Sequence, residues 1–284
     1  MAFYLDTSAI NRLYDDPRSP NLRKVLQKKS IVYPSVFIVA ELAAEPDERR
    51  RIGLLELLKK ISGNYRPVAM PGDLLRRSLE SANIWSRDMN HSMGPKWSGV
   101  WLALNNPTLI DDDAYQEIVD WKREQETWYQ DMHDRGRPRM QEAITKLPPI
   151  EKAAIYSRFS KLIRYYPPDG DFLRKMVFDL ASCCGANVII NDELIQRVIK
   201  HSEHWRFFLI AMAYGMYVRS VKVTHFSKKR NPGSIDTQQA IYLTLCNVFV
   251  TADEEQYKML RLLAPFGHKK RYIWKYTKFA QYLN

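Results

Sequence analysis

The sequence predicts an α/β protein in which a central parallel sheet is built from both ends of the chain and interrupted by a large, mainly helical insertion. Three observations predict it. Short apolar runs alternate with helix-spaced segments over residues 1–85; the alternation returns over 216–284; residues 86–215 lack it and carry Trp-rich, charged, helix-like segments. Strands joined by helices imply parallel pairing, and parallel sheets place their ligand sites beyond the carboxyl ends of the strands.

Taken in order, AFYL is an apolar run ending at Asp6, and SAINRLYDD after it has helical spacing, which gives strand, turn and helix. Ser30 to Tyr33 is a brief β-like run, Pro34 and Ser35 mark a helix start, and VFIVAELAA continues it. RIGLLELLKKISG is amphipathic with Gly63 as its stop, and a further helix opens around Pro71 and Gly72. Within the insertion, DDAYQEIVDWKREQETWYQDMHDRG and EKAAIYSRFSKLIRYY read as helices, with Pro148-Pro149 and Pro167-Pro168 as breaks, and NVIIND over 187–192 as one further candidate strand. Past the insertion, VRSVKVTHF reads as a strand, SKKRNPGS as a loop, IDTQQAIYLTLC as a helix, NVFVTAD as a strand ending in an acid, EEQYKMLRLLA as a helix and RYIWKY as a last strand.

A hydrophobic share of 45% over 284 residues suffices for one good core, or a core plus an insertion, and argues against disorder. The net charge of +11 suits a polyanionic partner, because fixed positive charge concentrates phosphate backbones near the surface. Cys183, Cys184 and Cys246 form no CxxC pair, which fits a reducing cytoplasm. The opening MAFYLDTSAI has no basic leader region, and the longest apolar stretch, Phe207 to Val218, is too short to span a bilayer and reads as a buried helix. A cytoplasmic protein with no membrane partner is expected.

Four carboxylates stand out, and each also has a plain structural reading. Asp6 can cap the helix begun by Thr7 and Ser8. Glu41 lies inside VFIVAELAA, where an unpaired carboxylate against apolar neighbours is costly to desolvate, although a helix also has an outward face. Asp236 falls in the first turn of its helix, after Ser234 as the expected cap, where the macrodipole favours negative charge. Asp253 can cap EEQYKMLRLL, with Gln256 completing a D-x-x-Q box. Together, two lie after strands and two on flanking helices, where a parallel sheet gathers side chains at one edge. Four clustered acids would need hard divalent cations such as Mg²⁺ or Mn²⁺ to offset their repulsion.

YLDTSAI at the start, Glu41 in VAELAA, Asp236 in SIDTQQA and VFVTADEE near the end resemble the pattern of PIN-domain nucleases in order and local context. The resemblance covers roughly residues 1–85 and 216–284, and FVTAD is its most specific part. It implies a three-layer α/β/α fold and a metal-dependent nuclease in which Asp6, Glu41, Asp236 and Asp253 bind Mg²⁺ or Mn²⁺. Thr7 or Ser8 and Thr251 would support the site by hydrogen bonding. Hydrolysis of RNA by metal-activated water would leave a 5′-phosphate and a 3′-hydroxyl. It also makes an antitoxin or other regulatory protein, a role as toxin or defence effector, and a homodimer expectations to test.

Basic and aromatic clusters near the matched segments offer a grip on phosphates and bases: Lys228, Lys229 and Arg230 before Asp236, and Lys269, Lys270 and Arg271 with Tyr272, Trp274 and Lys275. The alternative is an ordinary solvated charge run. His201 and His204 are three apart on a helix but lack Cys or acidic partners, so a surface or core role is expected. Asp192 and Glu193 would join the acidic site only if NVIIND were a strand. Trp85, Trp97, Trp101, Trp121, Trp128 and Trp205 are expected to fill a core. Two rivals remain: a PIN-like or flap-type nuclease acting on DNA, and a non-catalytic RNA-binding scaffold whose acids only cap helices.

Overall fold

Parallel strands can be buried on both faces only if helices cover them, and four short strands, two inner and two at the edges, form the sheet in this computed structural model. It describes residues 1–81, 93, 98–161, 171–220 and 233–284. The strands are β1 (Ala2–Leu5), β2 (Ile31–Val32), β3 (Val248–Thr251) and β4 (Tyr272–Lys275), in the order β2-β1-β3-β4 and all parallel. The register pairs Phe3 with both Val32 and Val248, Leu5 with Val250, and Val250 with Trp274. The protein is therefore mostly helical with a small parallel sheet, an α/β protein.

The chain divides into two compact units. The first comprises Met1–Leu74, Asn90–Glu124 and Tyr242–Asn284; the second comprises Leu75–Met89 and Gln125–Ile241.

In the first unit, α1 (Thr7–Asp15) follows β1 and α2 (Ser19–Lys29) precedes β2. α2 is a helix that the residue pattern over 19–29 does not announce. α3 (Val36–Ala43) is capped by Ser35, whose Oγ accepts from Ile38 N at 3.2 Å. α4 (Glu48–Ser62) is capped by Asp47 and stops at Gly63, whose φ of 61° is the left-handed conformation glycine tolerates best. α5 begins at Pro71 in this unit and runs to Glu80 in the second, and α6 spans Ser98–Asn105. Alternation along β1 sends Phe3 to one face, with Phe279 edge-on at 5.4 Å, and Tyr4 to the other, stacked on Tyr242 at 4.9 Å. Phe3, Tyr4, Leu5, Val248, Phe249 and Val250 are all fully buried, which anchors the strand ends carrying the acids.

The second unit is helical in its described residues. α7 (Asp112–Thr145) has residues in both units and is followed by α8 (Pro149–Ser157), α9 (Asp171–Cys183), α10 (Asp192–His201), α11 (Glu203–Ser220) and α12 (Ser234–Gln239). The apolar stretch Phe207 to Val218 is the body of α11 and is almost wholly buried, as a helix apolar all round should be. Two strand expectations need correction. NVIIND forms no strand: Ile189 is exposed and Asn191 caps α10, its Oδ1 accepting from Leu194 N at 2.8 Å. A local cap outcompeted a short apolar run in a unit whose described residues form no strand for it to pair with. In VRSVKVTHF, Val218 to Ser220 finish α11 instead of starting a strand, and the rest of that segment lies outside the described residues.

Ahead of β3, IDTQQAIYLTLC is α12 followed by a 3₁₀ segment (Ala240–Thr244). α13 (Glu254–Leu263) joins β3 to β4, and α14 (Tyr276–Leu283) closes the chain against the sheet through Phe279. Trp205 is buried in the second unit and donates from Nε1 to Leu75 O at 3.1 Å, and His204 is also buried; Trp128 is instead exposed.

Candidate active site at the carboxyl ends of two strands

The site in the first unit starts from one turn. Asp6 follows the last residue of β1, and its N–H donates to Val250 O at 3.0 Å, so the register of β1 on β3 fixes its backbone. The side chain then caps α1: Oδ1 accepts from Ala9 N at 2.7 Å, and the Ser8 hydroxyl lies 2.9 Å from each carboxylate oxygen. Asp6 is only 2% exposed. Burial pushes its pKa up to about 7, against the hydrogen bonds from Thr251, Ala9 and Ser8, and the negative charge of Glu41 adds to the rise.

Glu41 reaches this neighbourhood from α3, where Thr7 Oγ1 donates to its Oε2 at 2.6 Å. The helix bearing Glu41 is itself tied to β1, because the Tyr4 hydroxyl and the capping Ser35 hydroxyl are 2.9 Å apart. Ser8 links the two strand ends. Its Oγ accepts from Ala252 N at 2.8 Å and Asp253 N at 3.1 Å and lies 3.2 Å from Thr251 Oγ1, which also accepts from Asp253 N at 2.9 Å. Asp253 caps α13 through Oδ1, which accepts from Gln256 N at 2.7 Å, and its side chain is exposed.

The first unit thus brings together Asp6, Thr7, Ser8, Glu41, Thr251 and Asp253 in one hydrogen-bonded and electrostatic neighbourhood. Asp236 belongs to the second unit. There Gly233, not Ser234, is the cap position of α12, and Gly233 N donates to Asp236 Oδ2 at 3.1 Å. Beside it is an acid that sequence reading missed: Glu126 on α7 accepts from Ser234 N at 3.2 Å. No signal marked Glu126, one of many acids along a long charged helix. Asp192 and Glu193 lie in the first turn of α10, also in the second unit, and not at a strand end.

The basic candidates divide as well. Lys228, Lys229 and Arg230 lie outside the described residues. Lys269 and Lys270 are exposed, with Lys270 Nζ 5.2 Å from the Tyr272 ring centre. Arg271 is buried, and its guanidinium donates to the carbonyls of Lys269 at 2.9 Å and Thr244 at 3.4 Å, which makes it a brace for the loop before β4.

The donors at this site are carboxylate and hydroxyl oxygens, a set suited to Mg²⁺ or Mn²⁺ and poorly suited to softer ions. Asp6 and Glu41 form its pair of mutually repelling carboxylates. Among the described residues, no three His, Cys, Asp or Glu side chains are grouped so as to hold a metal ion. Among the same residues, no helix is long and apolar enough to cross a membrane. No family model, curated protein or solved structure matches the chain.

Proposed function

We propose that the chain is a divalent-metal-dependent endoribonuclease of the PIN-like kind, with a three-layer α/β/α core, that hydrolyses phosphodiester bonds of RNA. The observation that carries this reading is Asp6: a buried carboxylate at the carboxyl end of an inner parallel strand, fixed by Ser8 and Ala9, with Glu41 adding negative charge. Burying one acid near another works against stability, which is the cost expected of groups kept for a cation.

Asp6 and Glu41 would hold the Mg²⁺ or Mn²⁺, with Asp253 of the same unit as a further oxygen donor. When bound, the ion supplies charge stabilisation at the phosphoryl oxygens and a more acidic water. The chain's own residues prepare that chemistry. Thr7 restrains the Glu41 carboxylate, Ser8 orients that of Asp6, and Ser8 with Thr251 fixes the backbone from which Asp253 projects. The formal charge of +11 supports a phosphate-backbone substrate.

The test is cleavage of end-labelled single-stranded RNA, single-stranded DNA and duplexes in Mg²⁺, Mn²⁺ or EDTA, by the wild type and Asp6→Asn. Metal-dependent RNA products ending in 5′-phosphate, lost in EDTA and in the variant, are expected. RNA cleavage that persists in EDTA or in a folded Asp6→Asn protein overturns the reading, and preference for DNA moves it to a flap-type substrate.

One observation favours a second reading, a non-catalytic RNA-binding scaffold. Asp6 and Asp253 already serve as helix caps, so their presence has a structural reason. Such a scaffold would bind RNA, cleave none, and be indifferent to Asp6→Asn.

A further inference from the structure

A groove of about 590 Å³ opens in the first unit beside the strand-end site, lined by Arg12, Asp15, Asp16, Arg18, Lys275 and Tyr276, with Ala252 at its border. Two features tie it to the site. Arg12 is four residues after Ser8 on α1, so the two side chains lie on the same side of the helix, one turn apart. Ala252, whose N–H donates to Ser8, immediately precedes Asp253.

The charges of the groove do not cancel. Asp15 is held by Arg50, with Nη1 at 2.8 Å and Nη2 at 3.0 Å, and Arg50 lowers its pKa below the usual carboxylate range. Asp16 accepts two side-chain hydrogen bonds from Arg18, at 3.0 and 2.9 Å, and one from the Tyr276 hydroxyl at 2.9 Å. Lys275 pairs with Glu254 at 2.6 Å. Each acid of the groove is hydrogen-bonded to an arginine, Arg50 also facing Glu45 at 3.8 Å, while the exposed Arg12 forms an ion pair with neither Asp15 nor Asp16 and acts on Asp15 only as a nearby positive charge. Among the lining side chains three cations, Arg12, Arg18 and Lys275, stand against two carboxylates, Asp15 and Asp16, a surplus of one positive charge, and the buried Tyr276 already donates its hydroxyl proton to Asp16.

We propose that this groove is a backbone subsite for the substrate strand, with the Arg12 guanidinium contacting a phosphate next to the one at the acidic site. The assignment rests on the nuclease reading for its substrate class and adds the path the strand takes, along α1 from Ser8 to Arg12. Arg12 is a binding residue here, since its planar, permanently charged fork suits phosphate oxygens.

The test measures binding without chemistry. Fluorescence anisotropy of a fluorescein-labelled single-stranded oligouridylate, and of its deoxy counterpart, is read in EDTA with the full chain and over a range of salt. Arg12→Gln is expected to weaken binding of both strands roughly three- to tenfold and to flatten the slope of log affinity against log salt by about 0.7. Asp15→Asn removes an acid from the same groove and is expected to move affinity the other way, by about twofold. A wild type that binds neither strand, or two folded variants with wild-type affinity and salt slope, overturns the subsite. Because no metal is present and nothing is cleaved, this failure is distinct from that of the nuclease reading. Metal-dependent, Asp6-sensitive cleavage with unchanged Arg12→Gln binding would sink the groove alone.

Discussion

At the ends of β1 and β3 the chain makes the same turn twice: a strand closes, an aspartate caps the next helix, and its Oδ1 accepts from the N–H three residues on at 2.7 Å. Yet Asp6 is buried and its pKa is raised to about 7, while Asp253 is exposed. The spacing explains the contrast. Asp6 follows β1 directly, so its carboxylate stays at the depth of the sheet, under the influence of α3 and Glu41. Ala252 intervenes after β3 and carries Asp253 outward. One extra residue converts a desolvated acid into a solvated one, and the cap is indifferent to the change. A capping role therefore does not decide between structure and catalysis; the electrostatic setting does.

The sharpest way to break this comparison is to remove charge while keeping the caps, since Asn caps as well as Asp. On the nuclease reading, Asp6→Asn lowers the metal-dependent cleavage rate at least about 100-fold. Steady-state RNA cleavage checks this, and near-normal activity in a folded variant would sink it.

The pH dependence comes next. In EDTA the folded Asp6 carboxyl keeps its proton up to about 7, whereas the unfolded chain loses it near the ordinary value of 3.8. The folded state then binds more protons than the unfolded state between those values, so this group's contribution to stability falls as pH rises through the window and levels off above it. A loss on the order of a few kcal/mol is expected by chemical denaturation, and Asp6→Asn should flatten the curve. An unchanged curve would show that Asp6 is not the desolvated group.

Ser8→Ala should cost about 1–3 kcal/mol, because it strips an acceptor from Ala252 and Asp253 N–H and a donor from buried Asp6. Urea denaturation measures this, and a loss under half of that range would assign those groups to water. The smallest effects test the exposed partner. Asp253→Ala should lose about 1 kcal/mol with the cap, while Asp253→Asn should stay within a few tenths of wild type. If Asp253→Asn keeps stability but loses cleavage, Asp253 serves the metal; if both survive, it is a cap alone.

Much of the frame is legible in the sequence. The runs AFYL, VFVT and YIWK carry the strand pattern, Gly63 marks a helix stop, and Asp6 and Asp253 have cap spacing, all properties of a few neighbouring residues. Less legible were α2, a polar stretch that starts without a side-chain cap, and NVIIND, where an apolar run was overruled by the Asn191 cap. Glu126 was invisible for a different reason: its relation to Ser234 and Asp236 joins residues more than a hundred positions apart.

The α/β class, the position of acids after strands and the caps are written in the chain's local pattern, because they follow from side-chain periodicity and from hydrogen bonds spanning three or four residues. Packing of distant segments is what buries Asp6 beside Glu41 while Asp253 faces solvent, makes Arg271 the brace of a loop, and sets Arg12 over a groove whose acids are hydrogen-bonded to other arginines. Desolvation and charge neighbourhood depend on what distant segments bring alongside, and a linear pattern does not encode that.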